Sequence, residues 1–476
     1  MELYLYVITA LAIIFGVYMA WGIGANDVAN AMGTSVGSGA LTLKRAVILA
    51  VILEFSGAFL AGSHVSETVR KGIVDPAIFT GDGLSFMLGM LSALLAAGTW
   101  LQIASWKGWP VSTTHSIVGS IVGFGLVYGG MNAIHWDKLG AIVASWVISP
   151  LFSGIISYFI FGFILRTIFY NARPLHAAKK VAPYIVFVVF TILTLTMFFK
   201  GLANMKLGLS LFASLGLASG VGLIASIISV FLVKLIKESE STGSGEKITD
   251  PNIIKSLDKA VKHLEKVRTS SPGHMKSEIA DTLKSIKTMR WESQQKYEYH
   301  TNSAQYQKVE KMFVYLQILS ACFVAFAHGA NDVANAIGPM SAVLSVAFAG
   351  GESIAAQAPV PLWVLALGGA GIAFGLATWG WRVMETIGKS ITELTPTRGF
   401  SAEFGAATTI VIASKLGLPI STTHTLVGAV LGVGLARGIG AVNLTVVRNV
   451  VISWLVTVPV GAFLAVIFFY LLKGMF

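Results

Sequence analysis

The chain has 476 residues, of which 55% are hydrophobic and only 12% are charged, and its mean hydropathy is +0.74. A soluble protein of this length cannot bury so much apolar surface with so few charges, so the composition excludes a soluble globular protein. The net charge of +11 is typical of basic residues gathered on the cytoplasmic side of a membrane, and we expect no nucleic-acid partner. The sequence predicts an all-α polytopic protein embedded in a lipid bilayer.

Apolar stretches long enough to cross a bilayer predict about eight full spans and two broken pairs, or about twelve membrane segments. The full spans are predicted at 3–21, 46–62, 139–165, 183–199, 208–235, from 312 onward, 361–381 and 445–472, and the broken pairs at 84–104 with 111–130 and at 402–416 with 420–436. Each pair is interrupted by Gly and Pro and is either two spans or a re-entrant hairpin. Both alternatives return the chain to the side from which it came.

The placement of Lys and Arg sets the predicted orientation. Basic residues follow the first span and the long span ending near 165, and the positive-inside bias places them in the cytoplasm. We therefore expect a multi-pass protein of the cell membrane, inner or plasma, with both termini outside. The polar stretch 237–311 has apolar residues at helical spacing and a Ser-Ser-Pro-Gly turn at 270–273, which predicts a cytoplasmic helical hairpin.

Two phrases occur twice in the chain. GANDVANA stands at 24–31 and again at 329–336, while PVSTTH at 110–115 is echoed by PISTTH at 419–424. The offsets of about 305 and 309 residues divide the chain into a first repeat at 1–166, two extra spans at 167–236, the linker at 237–311 and a second repeat at 312–476. Five predicted crossings separate the two octets, so the repeats have inverted topology. Inverted repeats with matching interrupted helices favour a transporter over a channel or a structural membrane protein.

The octets combine poor helix formers with oxygen-bearing side chains. Gly and the Asn-Asp pair are expected to unwind each helix for a few residues, exposing carbonyl and side-chain oxygens of the type that hard cations prefer. The candidate cation ligands are Asp27, Asn30, Asp332 and Asn335, and Asn26 and Asn331 beside them are candidate ligands of a bound anion. Helix capping at a short loop is the alternative for either copy alone.

The second phrase has the opposite chemistry. Its Pro fits the first turn of a helix, and the hydroxyls that follow lie beside unpaired backbone N–H groups, which suits an anion. These hydroxyls belong to Ser112, Thr113, Thr114, Ser421, Thr422 and Thr423. Two such helix ends facing each other would hold a tetrahedral oxyanion; two N-capped helices near the bilayer surface are the alternative. His115 and His424 are either further donors or packed residues.

Two isolated acids, Glu54 and Glu403, lie in apolar sequence and are functional candidates for that reason. They are not repeat mates, because the offsets place Glu403 opposite Leu94. His328 precedes the second octet and is interpreted as supporting the site from behind. Acids surrounding an anion would repel it, and the phrases contain no Lys or Arg, so the anion should enter together with small cations.

These paired phrases, with the glutamates in LEF and AEF, resemble the inorganic phosphate transporter (PiT) family. The resemblance covers both halves and leaves out only the linker. It implies inorganic phosphate as the substrate, with Asp27, Asp332, Glu54, Glu403 and the Ser-Thr-Thr tips taking part. The family contains sodium-coupled and proton- or metal-phosphate-coupled members, and the intact set of carboxylates, with Glu54 and Glu403 as further sodium ligands, favours sodium as the coupling ion. We expect no other cofactor, and no enzymatic activity, because the sequence has no Walker-type loop, kinase motif or metal-ligating His/Cys cluster. A homodimer is expected by analogy. The alternatives are a symporter coupled to protons or to metal-phosphate and protons, and less favoured, a sulfate permease or a passive anion channel.

Overall fold

The computed structural model describes residues 3–63, 73–196, 210–236, 251–301, 304–351, 360–381, 393–438 and 444–476. Fourteen α-helices make up most of these residues. In chain order they are α1 (Leu3–Gly37), α2 (Leu43–Ala61), α3 (Gly83–Trp106), α4 (Thr113–Gly129), α5 (Trp136–Ile164), α6 (Pro174–Thr196), α7 (Leu211–Lys234), α8 (Pro251–Ser270), α9 (Gly273–Thr301), α10 (Ala304–Phe348), α11 (Leu362–Gly375), α12 (Pro396–Lys415), α13 (Thr422–Arg437) and α14 (Leu444–Lys473). Short π-helical turns at Leu165–Phe169 and Leu376–Gly380 continue α5 and α11.

The predicted membrane architecture is confirmed. Nine helical segments of the described chain are long and apolar enough to cross a bilayer. Helices α2, α12 and α13 are not among these nine, because they are short or carry more charge. Together with the nine they make up the twelve predicted membrane segments. Helices α3 with α4, and α12 with α13, form the two interrupted pairs.

Reciprocal contacts relate the two repeats. Gly24 of α1 lies against the carbonyl of Ile372 in α11, and Gly329 of α10 lies against the carbonyl of Glu54 in α2. The contact of α1 with α11 is therefore equivalent to the contact of α10 with α2, and each joins a helix of one repeat to a helix of the other. The octets therefore sit where α1 and α10 each meet a helix of the other repeat, in the position expected of a pseudo-two-fold axis.

The second helix of each hairpin packs on the last helix of the opposite repeat. Gly428 of α13 lies against the backbone of Pro150 in α5, and Gly119 of α4 lies against the backbone of Val458 in α14. Close backbone approach at small residues is the usual means of helix association in lipid, where the hydrophobic effect gives little drive. Each repeat is thus completed by helices of the other.

The prediction that the octets unwind was wrong. Residues 24–31 and 329–336 are helical throughout, so α1 and α10 are continuous. An Asn or Asp costs at most about 0.7 kcal/mol in a helix relative to Ala, whereas an unsatisfied backbone group in lipid costs several kcal/mol. The helix is therefore kept, and the side chains alone supply the polar groups.

The hairpin tips have the same backbone geometry. Gly108 and Gly417 both have φ +68°, and the amide of the next residue bonds back to Ala104 O (2.8 Å) or Ala413 O (3.0 Å), as in a Schellman helix end. The chain then runs to Ser112 or Ser421, whose hydroxyl accepts from the amide three residues later at 3.2 Å. Pro110 and Pro419 precede these caps, so the expectation that they begin the helices was wrong.

The linker contains the predicted pair of helices. Helix α8 ends at Ser270 and α9 begins at Gly273, on either side of the predicted turn. Ion pairs join the two helices, from Lys287 to Glu265 at 2.8 Å and from Arg290 to Asp258 at 2.5 Å. Residues 237–250 of the predicted linker lie outside the described residues, and the domain division remains a prediction.

We predict opposite outcomes for two glycine substitutions. A β-carbon at Gly432 of α13 would lie 2.0 Å from Gly154 O of α5, whereas one at Gly162 has no atom within 4 Å. Gly432→Ala should therefore lower the free energy of unfolding by about 1–3 kcal/mol through overpacking. Gly162→Ala should leave it unchanged or raise it slightly, since Ala is the better helix former. Equilibrium unfolding in mixed detergent micelles measures both, and equal effects would contradict the interlocked packing.

Candidate functional site

The two hairpins meet at the carboxylate of Asp27. Thr113 donates to Asp27 Oδ2 at 2.7 Å, and Thr423 donates to Asp27 Oδ1 at 2.8 Å. Thr113 begins α4 of the first repeat, while Thr423 is in the first turn of α13 of the second. One buried acid from an octet thus receives hydroxyl groups from both copies of the second phrase, and the four repeated phrases come together at this point.

Asp332, the repeat mate of Asp27, has a different set of partners. Thr422 donates to Asp332 Oδ2 at 2.8 Å, and His328 Nε2 lies 2.8 Å from the same oxygen. The other ring nitrogen, His328 Nδ1, lies 2.7 Å from Glu54 Oε2. A buried chain therefore runs from Glu54 through His328 to Asp332. The imidazole bridges the two carboxylates, which agrees with its predicted supporting position.

The hairpin tips also contact each other directly. Asn335 Nδ2 donates to Thr114 Oγ1 at 3.1 Å and approaches Thr113 Oγ1 at 3.3 Å. Thr114 donates to Ile420 O at 3.0 Å in the opposite tip, and Thr423 Oγ1 lies 3.4 Å from Val111 O. These bonds cross the pseudo-two-fold axis, so the two tips are held together by the hydroxyls of the Ser-Thr-Thr phrases.

Asn26 and Asn331 occupy equivalent buried positions one residue before the aspartates. The Asn26 amide donates to Ser105 Oγ and Trp109 O, both at 3.0 Å, and accepts from Val111 N at 3.1 Å. Asn26 therefore fixes the shape of the first tip from behind. The side chain of Asn30, a predicted cation ligand, lies outside the described residues.

Glu403 is not brought together with the other acids. It accepts from Thr34 (2.5 Å) and Ser35 (2.7 Å) of α1 and from Ser320 (2.6 Å) and Gln317 (3.3 Å) of α10. Thr34 stands two helical turns beyond Asp27 on α1. The structure thus divides the predicted acids into a group of three around His328 and a separate cluster at Glu403.

The three-acid group has the chemistry of a cation site. Ligand atoms of Asp27, His328 and Asp332 lie within 4.8 Å of one another. Among the described residues, Glu54 Oε1 and Asp332 Oδ1 are buried without a hydrogen-bond partner. His328 Nε2, at 2.8 Å from Asp332 Oδ2, also has no hydrogen-bond partner among the described residues, but most ligand atoms of this group are carboxylate oxygens, which hard cations prefer over nitrogen.

The histidine that ends each second phrase packs away from the acids. His115 and His424 lie edge to face at 4.4 Å between ring centroids. His115 packs in a tilted arrangement against Trp146, with 3.8 Å between ring centroids, and His424 stacks on Trp454 at 3.4 Å. His424 Nδ1 lies 3.2 Å from Trp146 O, and His115 Nδ1 lies 3.4 Å from Trp454 O. The packed interpretation of these residues agrees with this arrangement.

Sequence reasoning missed the partners of Glu403. Thr34, Ser35, Gln317 and Ser320 are single polar residues in apolar helices and belong to no repeated phrase. A signal was present in the spacing, because Thr34 and Ser35 fall seven and eight residues after Asp27 and so share its helix face. Polar residues on that face of a membrane helix point to the protein interior rather than to lipid.

Two inverted repeats whose hairpin tips meet at buried acids are typical of a membrane transporter. The phosphate transporter family model matches residues 23–465, which is nearly the whole chain. The chain belongs to the phosphate transporter family, and it is not an enzyme.

Individual relatives agree with this membership. The inorganic phosphate transporter 2-1, chloroplastic, of Arabidopsis thaliana is 47% identical over 456 residues, or 96% of this chain and 70% of the relative. A putative phosphate permease of Haemophilus influenzae is 43% identical over 463 residues, covering 97% of this chain and 96% of the relative. A solved structure of a sodium-dependent phosphate transporter superposes with a TM-score of 0.79 at 37% identity, covering 99% of this chain and 100% of its own.

We predict that His328→Gln removes the central group of a buried charged chain and leaves Glu54 and Asp332 unpaired. Loss of one partner from a buried pair typically costs about 3–5 kcal/mol in the free energy of unfolding. Adding Glu54→Gln should restore part of this loss, so the double variant should be more stable than the sum of the single effects predicts. The matched control is His135→Gln, because His135 pairs with Asp75 at 4.0 Å and both are partly exposed. Additive losses in mixed-micelle unfolding would contradict the coupling.

Proposed function

We propose that this protein imports inorganic phosphate by symport with sodium ions. The observation that carries the proposal is the meeting of both hairpin tips at Asp27, where donors for an anion and oxygens for cations share one buried site. The family membership supports phosphate as the substrate. The sodium dependence of the structural neighbour supports sodium as the coupling ion.

The proposed phosphate ligands are the hydroxyls and helix ends of the two tips. Ser112, Thr113 and Thr114 stand at the start of α4, and Ser421, Thr422 and Thr423 stand at the start of α13. Thr113 and Thr423 donate hydrogen bonds to Asp27. A phosphate oxygen would accept hydrogen bonds from hydroxyl groups of the same kind. Helix N-termini add partial positive charge and amide donors. Asn26 and Asn331 complete the proposed set, with Asn26 acting through the shape of the first tip.

The proposed sodium ligands are the acids and octet amides, namely Asp27, Asn30, Glu54, Asp332, Asn335 and Glu403. Asp27, Asp332 and Glu54 together exceed the one positive charge that His328 can carry. Two carboxylates about 4 Å apart repel each other by about 4 kcal/mol at an effective dielectric constant of about 20. A phosphate added to this group increases the repulsion, whereas bound sodium ions offset it. Binding of the phosphate therefore depends on binding of the sodium ions.

A specific observation favours proton coupling as the second candidate. His328 has a carboxylate at each ring nitrogen, and such a bridge can hold and transfer a proton. Coupling to protons, or to metal-phosphate and protons, would use this bridge in place of a sodium ligand. A sulfate permease and a passive anion channel are less favoured, because neither needs the duplicated acidic octets.

The remaining organisation is proposed from the sequence. The inverted repeats would span 1–166 and 312–476, with the extra spans at 167–236 and a cytoplasmic linker at 237–311. Both termini would lie outside a cell membrane, inner or plasma. We further propose a homodimer, by analogy with other transporters of this kind.

Uptake of radiolabelled phosphate into proteoliposomes tests the coupling. We expect an inward sodium gradient to drive uptake, and a proton gradient alone to fail. Asp27→Asn and Asp332→Asn should each lower sodium-driven uptake by at least about tenfold, because each removes a charged acceptor worth about 1.5–3 kcal/mol per hydrogen bond. Equal uptake on a proton gradient alone would reject sodium coupling. Uptake that persists in both variants would indicate a passive channel, and competition by sulfate as strong as that by arsenate would reject phosphate selectivity.

The separate cluster at Glu403 gives a second functional prediction. Glu403 forms no ion pair within the described residues, so in a dry interior its charge calls for a bound cation. Glu403→Gln should raise the sodium concentration needed for half-maximal uptake by at least about tenfold, which is 1.4 kcal/mol. Glu310→Gln is the matched control, since Glu310 is bonded to Thr397 on the same pair of helices and has no place in the proposed site. An unchanged sodium dependence in Glu403→Gln would remove Glu403 from the sodium ligands.

A further inference from the structure

The threonine hydroxyls of the two hairpin tips each donate a hydrogen bond to another protein group. Their acceptors are two carboxylates and one backbone carbonyl, in the bonds from Thr113 and Thr423 to Asp27, from Thr422 to Asp332 and from Thr114 to Ile420 O, at 2.7–3.0 Å. A hydroxyl group carries one proton, so a hydroxyl that turns to a bound anion gives up its present acceptor. Anion binding at the tips therefore breaks hydrogen bonds to buried acids.

Asp27 is the acid that such an anion meets between the tips. It accepts one hydroxyl from each repeat, so an anion that binds Thr113 or Thr423 lies beside its carboxylate. All three side chains are buried, which keeps bulk water from replacing a lost hydrogen bond. A carboxylate only accepts hydrogen bonds, and an anion that also only accepts them would set oxygen against oxygen at this point.

Phosphate differs from other tetrahedral oxyanions in having a hydrogen-bond donor of its own. At neutral pH inorganic phosphate keeps at least one O–H group, whereas sulfate keeps none. An O–H group that donates to a carboxylate forms one of the stronger hydrogen bonds found in proteins. One phosphate oxygen can therefore accept the bond from a tip hydroxyl while the O–H of the same phosphate donates to Asp27, and the carboxylate loses no donor.

We propose that Asp27 determines the specificity of the site, by accepting a hydrogen bond from the O–H group of the bound phosphate and excluding oxyanions that lack one. The inference rests on the proposed phosphate function and adds the residue that recognises the protonated form of the substrate. The proton stays on the phosphate. Since a carboxylate offers about four lone-pair positions, the same side chain can also contact a sodium ion.

Asp332 provides the matched comparison, because the two octets are identical in sequence. Its carboxylate accepts from Thr422 and also contacts His328, which is held on its other side by Glu54. If Thr422 turns to an anion, the imidazole remains beside Asp332. We therefore expect Asp332→Asn to weaken binding of all anions through the loss of charge, without changing which anion is preferred.

Competition binding to the full-length protein in detergent micelles, with radiolabelled phosphate at saturating sodium, tests the proposal. Arsenate keeps an O–H group at neutral pH, whereas sulfate and monofluorophosphate are tetrahedral anions without one. Monofluorophosphate carries the same charge as dianionic phosphate, so it separates the O–H group from charge. We expect arsenate to compete about as well as phosphate, and sulfate and monofluorophosphate to be at least about 100-fold weaker, since a site built to bind a substrate hydroxyl can reject analogues without it by about 10⁴–10⁵-fold.

Two variants assign the discrimination to one carboxylate. Asp27→Asn puts an amide donor where the acceptor stood, so it should weaken phosphate and strengthen the anions without an O–H group. We expect the preference for phosphate over monofluorophosphate to fall by at least about tenfold, or 1.4 kcal/mol. Asp332→Asn should keep the preference of the wild type at a lower affinity. Thermal unfolding checks that both variants are folded.

Four results would overturn the assignment. Monofluorophosphate competing as well as phosphate in the wild type would do so even if Asp27→Asn does not fold. A folded Asp27→Asn protein with unchanged preference, or with no binding of any of these anions, would leave Asp27 a structural role only. An equal loss of preference in Asp332→Asn would assign the effect to the general charge of the site. Absence of sodium-dependent phosphate binding in the wild type would instead reject the proposed function, and this inference with it.

Discussion

The buried carboxylate of Asp27 is the constraint on which the site depends. A carboxylate buried in a membrane protein needs hydrogen-bond donors or a counter-charge. The two oxygens of Asp27 accept hydrogen bonds from hydroxyl groups of opposite repeats, one from Thr113 and one from Thr423. The hairpin tips are therefore fixed relative to α1 and to each other by the same group. Any species that competes for these hydroxyls, or for the oxygens of Asp27, also changes the contact between the tips. Occupancy of the site and the relative position of the two repeats are thus linked through one side chain.

The Ser-Thr-Thr phrases of the two hairpin tips follow the pseudo-two-fold relation between the repeats. The ionisable residues around them do not, because each stands opposite an apolar residue of the other repeat. Glu54 occupies the place of Ile372 against the equivalent glycine of the other octet, His328 corresponds to Ile23, and Glu403 corresponds to Leu94. As a result, two identical octets make different surroundings. Asp27 is held by two hydroxyls, whereas Asp332 is held by one hydroxyl and an imidazole that also contacts an acid. Repeats that exchange conformations would therefore differ in energy between the two states, and ions that bind one octet better can bias that difference.

The sequence predicted the helices and the meeting of the phrases, because apolar length and exact repetition are visible in a single chain. It did not predict that the octets stay helical. That outcome depends on partners such as Thr113, which stands 86 residues from Asp27 and can be placed only once the helices are packed. The Glu403 cluster was missed for a related reason, since its donors come from α1 and α10 and carry no shared motif. Helix propensity is a weak guide inside a membrane protein. The free-energy cost of a broken backbone hydrogen bond in lipid exceeds the propensity differences among ordinary residues.

The histidine at the end of the second copy of the phrase, His424, compensates for a proline in the opposite repeat. Pro150 has no N–H group, so the carbonyl of Trp146, four residues earlier, lacks its helical donor. His424 Nδ1, at 3.2 Å from that carbonyl, supplies a replacement and carries its ring proton on that nitrogen. An unsatisfied carbonyl at this depth would cost several kcal/mol, so the helix around Pro150 and the first turn of α13 stabilise each other. On the other side of the axis, His115 makes only a longer contact with Trp454 O, at 3.4 Å, where Val458 rather than a proline stands four residues on. Only His424 therefore replaces a missing helical donor in the opposite repeat, so the two histidines have different surroundings although their phrases are repeated.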